Sequence, residues 1–307
     1  MTGPPESEVT LDSASPCAVV MSGGASLGAV QVGMLRALAE AEVAIALIVG
    51  TSVGAINGAW LAGDPTIEGL ARLSELWKGM RRQDILPLNP LHSLWAAAGR
   101  TSSLTSSARL RSLIEQQVRF ARLEHAAIPL HVVAVDVQSG QDVLLSTGST
   151  VDAVLASSAI PGVLPPVQIG DRLFMDGGVI ANTPIVHAIS LGAKRVWVLP
   201  AGYPCALTAP PRTALAMALQ GLAILVEHRL AIDAVKAYDG VDIRIIPPLC
   251  PLNVSPADFS HGADLDRRGY EATMGWMADG CPDVRAALLP HSHGSFRSLR
   301  NGPDRRD

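Results

Sequence analysis

Short, almost wholly apolar runs recur along this chain, separated by helix-like stretches, and that alternation constrains the fold more than any other feature. Cys17–Met21, Ile45–Val49, Leu130–Val135, Val143–Leu145, Arg195–Leu199 and Ile243–Ile246 read as strands. Several are apolar on both faces, so both must be covered. Between them the spacing predicts helices over Ala29–Ala39, Ala55–Ala62, Ile67–Met80, Ser106–Phe120, Thr183–Leu191 and Thr213–Tyr238. Strands separated by helices imply an α/β fold of three layers, α/β/α, with a mainly parallel central sheet. No repeat or linker divides the chain, so residues 16–289 are expected to form one domain. Residues 1–15 and 290–307 lack periodicity and read as flexible tails. The segment Asp84–Ser107 mixes Leu, Ile and Trp with Pro, Asn and Gly and is a candidate lid.

The chain has 307 residues, 48% of them hydrophobic and 17% charged, enough to bury a sizeable core. A formal charge of -4 gives no concentrated basic face, so nucleic acid is not an expected partner. Four widely spaced cysteines form no C-x-x-C pair; reduced thiols are expected, with no metal site and no cofactor. The first residues lack the basic and apolar regions of a secretory signal, which predicts a cytoplasmic location. Ala41–Val49 and Leu215–Val226 are too short or too interrupted to supply the ~20 residues of a spanning helix, so any membrane contact is expected to be peripheral. Nothing in the sequence fixes an oligomeric state.

Three glycine-containing junctions carry the chemistry. Ser22-Gly23-Gly24-Ala25-Ser26-Leu27-Gly28 follows the first strand and opens a helix, where backbone N–H groups and the macrodipole favour an anion. It suits a phosphate or an oxyanion, or it is a tight turn, and it lacks the G-x-G-x-x-G spacing. Gly50-Thr51-Ser52-Val53-Gly54 fits G-x-S-x-G between a strand and a small-residue helix, the setting of a nucleophile elbow. A serine needs a base. The downstream histidines, His187, His228, His261, His291 and His293, have no distinctive context, whereas Asp176 ends an apolar run and is followed by Gly177 and Gly178.

In their order and spacing these segments resemble the patatin-like phospholipase family, and the resemblance covers most of residues 17–200. Ala156-Ser157-Ser158-Ala159-Ile160-Pro161-Gly162-Val163-Leu164-Pro165-Pro166 and Asn182-Thr183-Pro184 are also similar to family segments. The resemblance implies a patatin-like fold and a serine acyl-hydrolase whose partner is a lipid ester. Ser52 would be the nucleophile and Asp176 its base, with an oxyanion hole drawn from Gly23, Gly24, Ala25 and Gly28. Two positions depart from the family's Gly-Gly-Gly-x-Arg/Lys-Gly loop: Ala25 replaces the third glycine and Leu27 the basic residue. An N–H survives at Ala25, and the hole is expected to persist if that residue is not required at φ > 0. The missing cation weighs against headgroup recognition rather than ester cleavage. The alternatives are a silent acyl-binding module on the same fold, a conventional Ser-His-Asp esterase and a nucleotide-binding α/β protein.

Overall fold

In the computed structural model, residues 17–85, 102–202, 240–250, 252 and 254–283 are described, with positions 217, 221 and 224. Both expected tails lie outside the described residues, as do 86–101 of the candidate lid and nearly all of Thr213–Tyr238.

The predicted strands form β1 (Cys17–Met21), β2 (Ile45–Thr51), β3 (Leu130–Asp136), β4 (Asp142–Leu145), β7 (Arg195–Leu199) and β8 (Asp242–Ile245). A hairpin of β5 (Val167–Ile169) and β6 (Arg172–Asp176) joins them in one eight-stranded sheet, ordered β5-β6-β3-β2-β1-β7-β8 with β4 also on β3. The expected parallel arrangement holds from β3 through β8, while β4, β5 and β6 pair antiparallel. Gly170, at φ +62, makes the tight β5–β6 turn that a crossover helix would otherwise replace.

Alternation along the strands sorts the layers. Cys17, Val19, Met21, Trp197 and Leu199 pack with α1 (Gly28–Glu40), α2 (Val53–Gly63), α3 (Ile67–Gly79) and a C-terminal helix, Gly262–Ala278. Ala18, Val20, Val196 and Val198 face Ile185 and Ala188 on the opposite side. The sheet therefore has helices on both faces, as the sequence implied. The remaining described helices are α4 (Arg82–Ile85), α5 (Ala108–Gln117), α6 (Thr150–Ser157), α7 (Gly178–Ala181) and α8 (Ile185–Ser190), which makes the C-terminal helix α9. Helix α1 is buried on nearly every side, as its almost uniformly apolar sequence requires. The more amphipathic α3 is capped by Thr66, whose Oγ1 accepts from Gly69 N–H at 2.9 Å, and carries Glu68 in its first turn and Lys78 in its last.

Register on β3 brings the two halves of the site together. Val133 pairs with Leu144 of β4 on one side and Thr51 of β2 on the other; Ala134 pairs with Val143 of β4 and Asp176 of β6. Strands β2 and β6 thus run toward each other along the same edge of β3 and end at adjacent positions. Cys250, expected to be a free thiol, is disulfide-bonded, its partner lying outside the described residues; Cys17 and Cys281 are free.

Candidate active site

Ser52 stands where β2 turns into α2, at φ 54 and ψ −122, a conformation that non-glycine residues rarely adopt. The turn is tight: a Cβ on Gly54 would fall 2.3 Å from the Met21 carbonyl oxygen, so only glycine allows α2 to start against β1. Three bonds hold the elbow. Ser52 N–H donates to Ser157 Oγ at 2.8 Å, Ser157 Oγ donates to Val133 O at 2.6 Å, and Thr51 Oγ1 donates to Ala181 O at 2.8 Å.

Ser52 Oγ donates to Asp176 Oδ2 at 2.7 Å, and Gly178 N–H donates to Asp176 Oδ1 at 2.7 Å. Both side chains are buried, Ser52 at 8% and Asp176 at 6% exposure. Burial pushes the Asp176 carboxyl up to about 6, against the opposing pull of its bonds from Gly178 N–H and Ser52. Near neutral pH it is therefore mostly an unprotonated acceptor. Of the candidate histidines, His187 Nε2 lies 3.0 Å from Asp142 and His261 Nε2 lies 3.4 Å from Asp258; His228, His291 and His293 lie outside the described residues.

The glycine loop lies beside the elbow and is fixed from below. Gln31 Nε2 donates to Ser22 O at 2.8 Å and Leu199 O at 3.0 Å. Asn57 Nδ2 donates to Gln31 Oε1 at 3.0 Å, and Trp77 Nε1 donates to Asn57 Oδ1 at 2.9 Å. This buried chain joins α1, α2 and α3 under the loop. The sequence reading missed Gln31 and Asn57, although an amide side chain within the apolar stretch of each of two helices was the available signal.

Not all of the expected anion donors are free. Gly23 N–H donates to Asn182 O at 3.1 Å, and Gly28 N–H donates to Ala25 O and Ser26 O. Gly28 has a packing role instead, since a Cβ there would lie 2.3 Å from Val53 Cγ2. Among the described residues, the N–H groups of Gly24 and Ala25 have no acceptor. Ala25 does sit at positive φ, +50, the condition under which the loop was expected to fail, and its N–H nonetheless has no acceptor among the described residues. Leu27 is buried in the core with Ala201 rather than presenting a polar group.

A narrow cavity of about 40 Å³ opens at Ser52 and Ala25. Its walls include Val53, Ile56, Met80, Leu110 and Leu164, and Trp77 stacks on Phe259 at 6.4 Å in the same lining. Among the described residues, no charged side chain lines it. A larger groove of about 530 Å³ lies elsewhere, and its cations Arg36, Arg72 and Lys78 are paired with Asp266, Asp64 and Glu75.

Comparison with known proteins matches residues 19–189 to the patatin-like phospholipase family. Patatin-like phospholipase domain-containing protein 7 of Mus musculus is 32% identical over 191 residues, which cover 60% of this chain and 13% of that protein. An uncharacterized NTE family protein of Mycobacterium tuberculosis (strain CDC 1551 / Oshkosh) is 32% identical over 167 residues, covering 54% of this chain and 27% of that one. The matched region is thus a small part of either relative. The crystal structure of VipD from Legionella pneumophila aligns with a TM-score of 0.47 at 15% identity, covering 86% of this chain and 67% of VipD. With more than half of its length matched to that family, the chain belongs to the patatin-like phospholipases.

Proposed function

We propose that this protein is a serine acyl-hydrolase that cleaves fatty acyl esters of phospholipids or other glycerolipids through Ser52 and Asp176. The observation that carries the proposal is the 2.7 Å bond from Ser52 Oγ to a buried carboxylate that receives only one other donor, Gly178 N–H, at its second oxygen, among the described residues. Ser52 Oγ attacks the ester carbonyl carbon as its proton passes to Asp176. The carbonyl π-pair moves onto oxygen, where the N–H groups of Gly24 and Ala25 receive the charge. Each such donor is worth roughly 3 kcal/mol. As the tetrahedral intermediate collapses, the C–O bond to the alcohol breaks, and the alcohol leaves with the proton from Asp176. Water then attacks the acyl-enzyme, giving its proton to Asp176, and the fatty acid departs as Ser52 recovers its hydrogen. The apolar, uncharged lining of the cavity beside Ser52 supports an acyl group rather than a charged headgroup as the part of the substrate that meets it.

Fluorophosphonate labelling and hydrolysis of a medium-chain aryl ester test this directly. Wild type is expected to label and turn over, Ser52→Ala to do neither, and Asp176→Asn to lose most turnover. Labelling that survives Ser52→Ala removes the nucleophile from the scheme, and full activity in Asp176→Asn removes the dyad. A wild type that binds the ester without labelling or turnover would identify an acyl-binding module instead.

A further inference from the structure

Helix α6 ends at Ser157 and is followed by Ser158, and the two serines have opposite circumstances. Ser157 Oγ is engaged on both sides, donating to Val133 O and accepting from Ser52 N–H. Ser158 is 5% exposed and its hydroxyl has no hydrogen-bond partner among the described residues. A serine at a helix end can bond back to the carbonyl four residues earlier, as Thr273 Oγ1 does to Gly269 O, but the Ser158 hydroxyl makes no such bond to Val154 O, which accepts the Ser158 N–H at 3.1 Å. The unpaired residue lines the same cavity as Ser52, among Val53, Ile56, Ile160 and Leu164. A buried hydroxyl without a partner carries a desolvation cost that nothing repays, which an alanine would avoid. An ester that reaches Ser52 brings oxygen acceptors into this wall, where Ser52 and Ser158 carry the hydroxyl groups.

We propose that Ser158 is a substrate-contacting donor whose hydroxyl bonds to an oxygen of the ester held at Ser52, supplementing the open N–H groups of Gly24 and Ala25. The assignment rests on the acyl-ester reading of this cavity and adds a side-chain donor to it. The test compares wild type with Ser158→Ala. Loss of a donor used by the substrate should lower kcat/KM by about 10- to 100-fold, while the thermal midpoint should not fall, because the deleted hydroxyl bonds nothing among the described residues. A structural hydroxyl gives the reverse pattern. Calorimetry on Ser52→Ala reads the contact without turnover, and the medium-chain aryl ester should bind about tenfold more weakly when Ser158→Ala is added. Unchanged kcat/KM, or equal affinity in the Ser52→Ala background, overturns the assignment. Failure of wild type to label or turn over instead overturns the hydrolase reading. Should Ser158→Ala not fold, Ser158→Cys keeps the volume with a weaker donor and is read the same way.

Discussion

In the proposed mechanism Asp176 is a base made by burial. Because desolvation holds its carboxyl up to about 6, turnover should rise with pH through about 6 and level off above, measured as kcat/KM against pH with an uncharged ester. Stability moves in the opposite sense. The unfolded chain releases this proton near 4 and the folded chain near 6, so the folded state binds more protons in between and stability falls as pH rises across that window. That interval corresponds to about 3 kcal/mol, fully lost above pH 6. Asp176→Asn should therefore be more stable than wild type at pH 8 by up to about 3 kcal/mol in urea unfolding, with the gap closing below about pH 4. Ala25 is the second residue whose energy is set by its position. An alanine held at φ +50 costs about 1–2 kcal/mol, and glycine would relieve this while losing about 0.5–1 kcal/mol to chain entropy. Ala25→Gly should accordingly stay within about 1 kcal/mol of wild type and remain active, whereas Ala25→Val, branched at a left-handed position, should lose about 1–3 kcal/mol and activity with it.

At the scale of elements, the site is a junction of two strand ends, β2 and β6, meeting on β3, and Ser157 at the end of α6 ties them. Ser157→Ala strands Ser52 N–H and Val133 O together, which should cost about 1–3 kcal/mol in denaturant unfolding. It should also lower kcat more than it raises KM, since the elbow and not the cavity is released. Much of this arrangement was legible in the sequence, because Gly50 to Gly54 and Asp176 to Gly178 advertise turns whose chemistry is local. The β5–β6 hairpin was not, because three- and five-residue strands, partly exposed, carry too little alternation to separate from loop. The state of each loop N–H was also hidden. Gly23 looks equivalent to Gly24 in the sequence, and only the approach of Asn182, 159 residues away, occupies the first. Ser157 and Ser158 likewise differ only in what the fold brings to them.

For the whole molecule, the described residues from 254 to 283 close one side of the structure, although the family match ends at residue 189. Phe259 completes the cavity lining and α9 packs along α1, held there by buried Asp266, which accepts from Arg36 at 3.0 Å and from Ser74. This 17-residue helix went unread because Gly262, Gly269 and Gly275 depress its propensity, and two of those glycines are what let it dock. A Cβ on Gly269 would lie 2.4 Å from Val30 O and one on Gly262 would lie 2.2 Å from Trp77 O, both backbone atoms that cannot step aside. Gly275 meets nothing within 4 Å. The same substitution in one helix should therefore have opposite signs. Gly269→Ala must push α9 off α1 and should cost about 1–3 kcal/mol or more, a fall in thermal midpoint of several degrees. Because Phe259 enters the cavity just before α9, KM for the acyl ester should rise as well. Gly275→Ala adds helix propensity without a clash and should raise the midpoint by an amount equivalent to about 0.5–1 kcal/mol, with KM unchanged. If both variants shift stability in the same direction, backbone contact between α1 and α9 is not what seats the C-terminal helix, and the dependence of the cavity on that helix must be reconsidered.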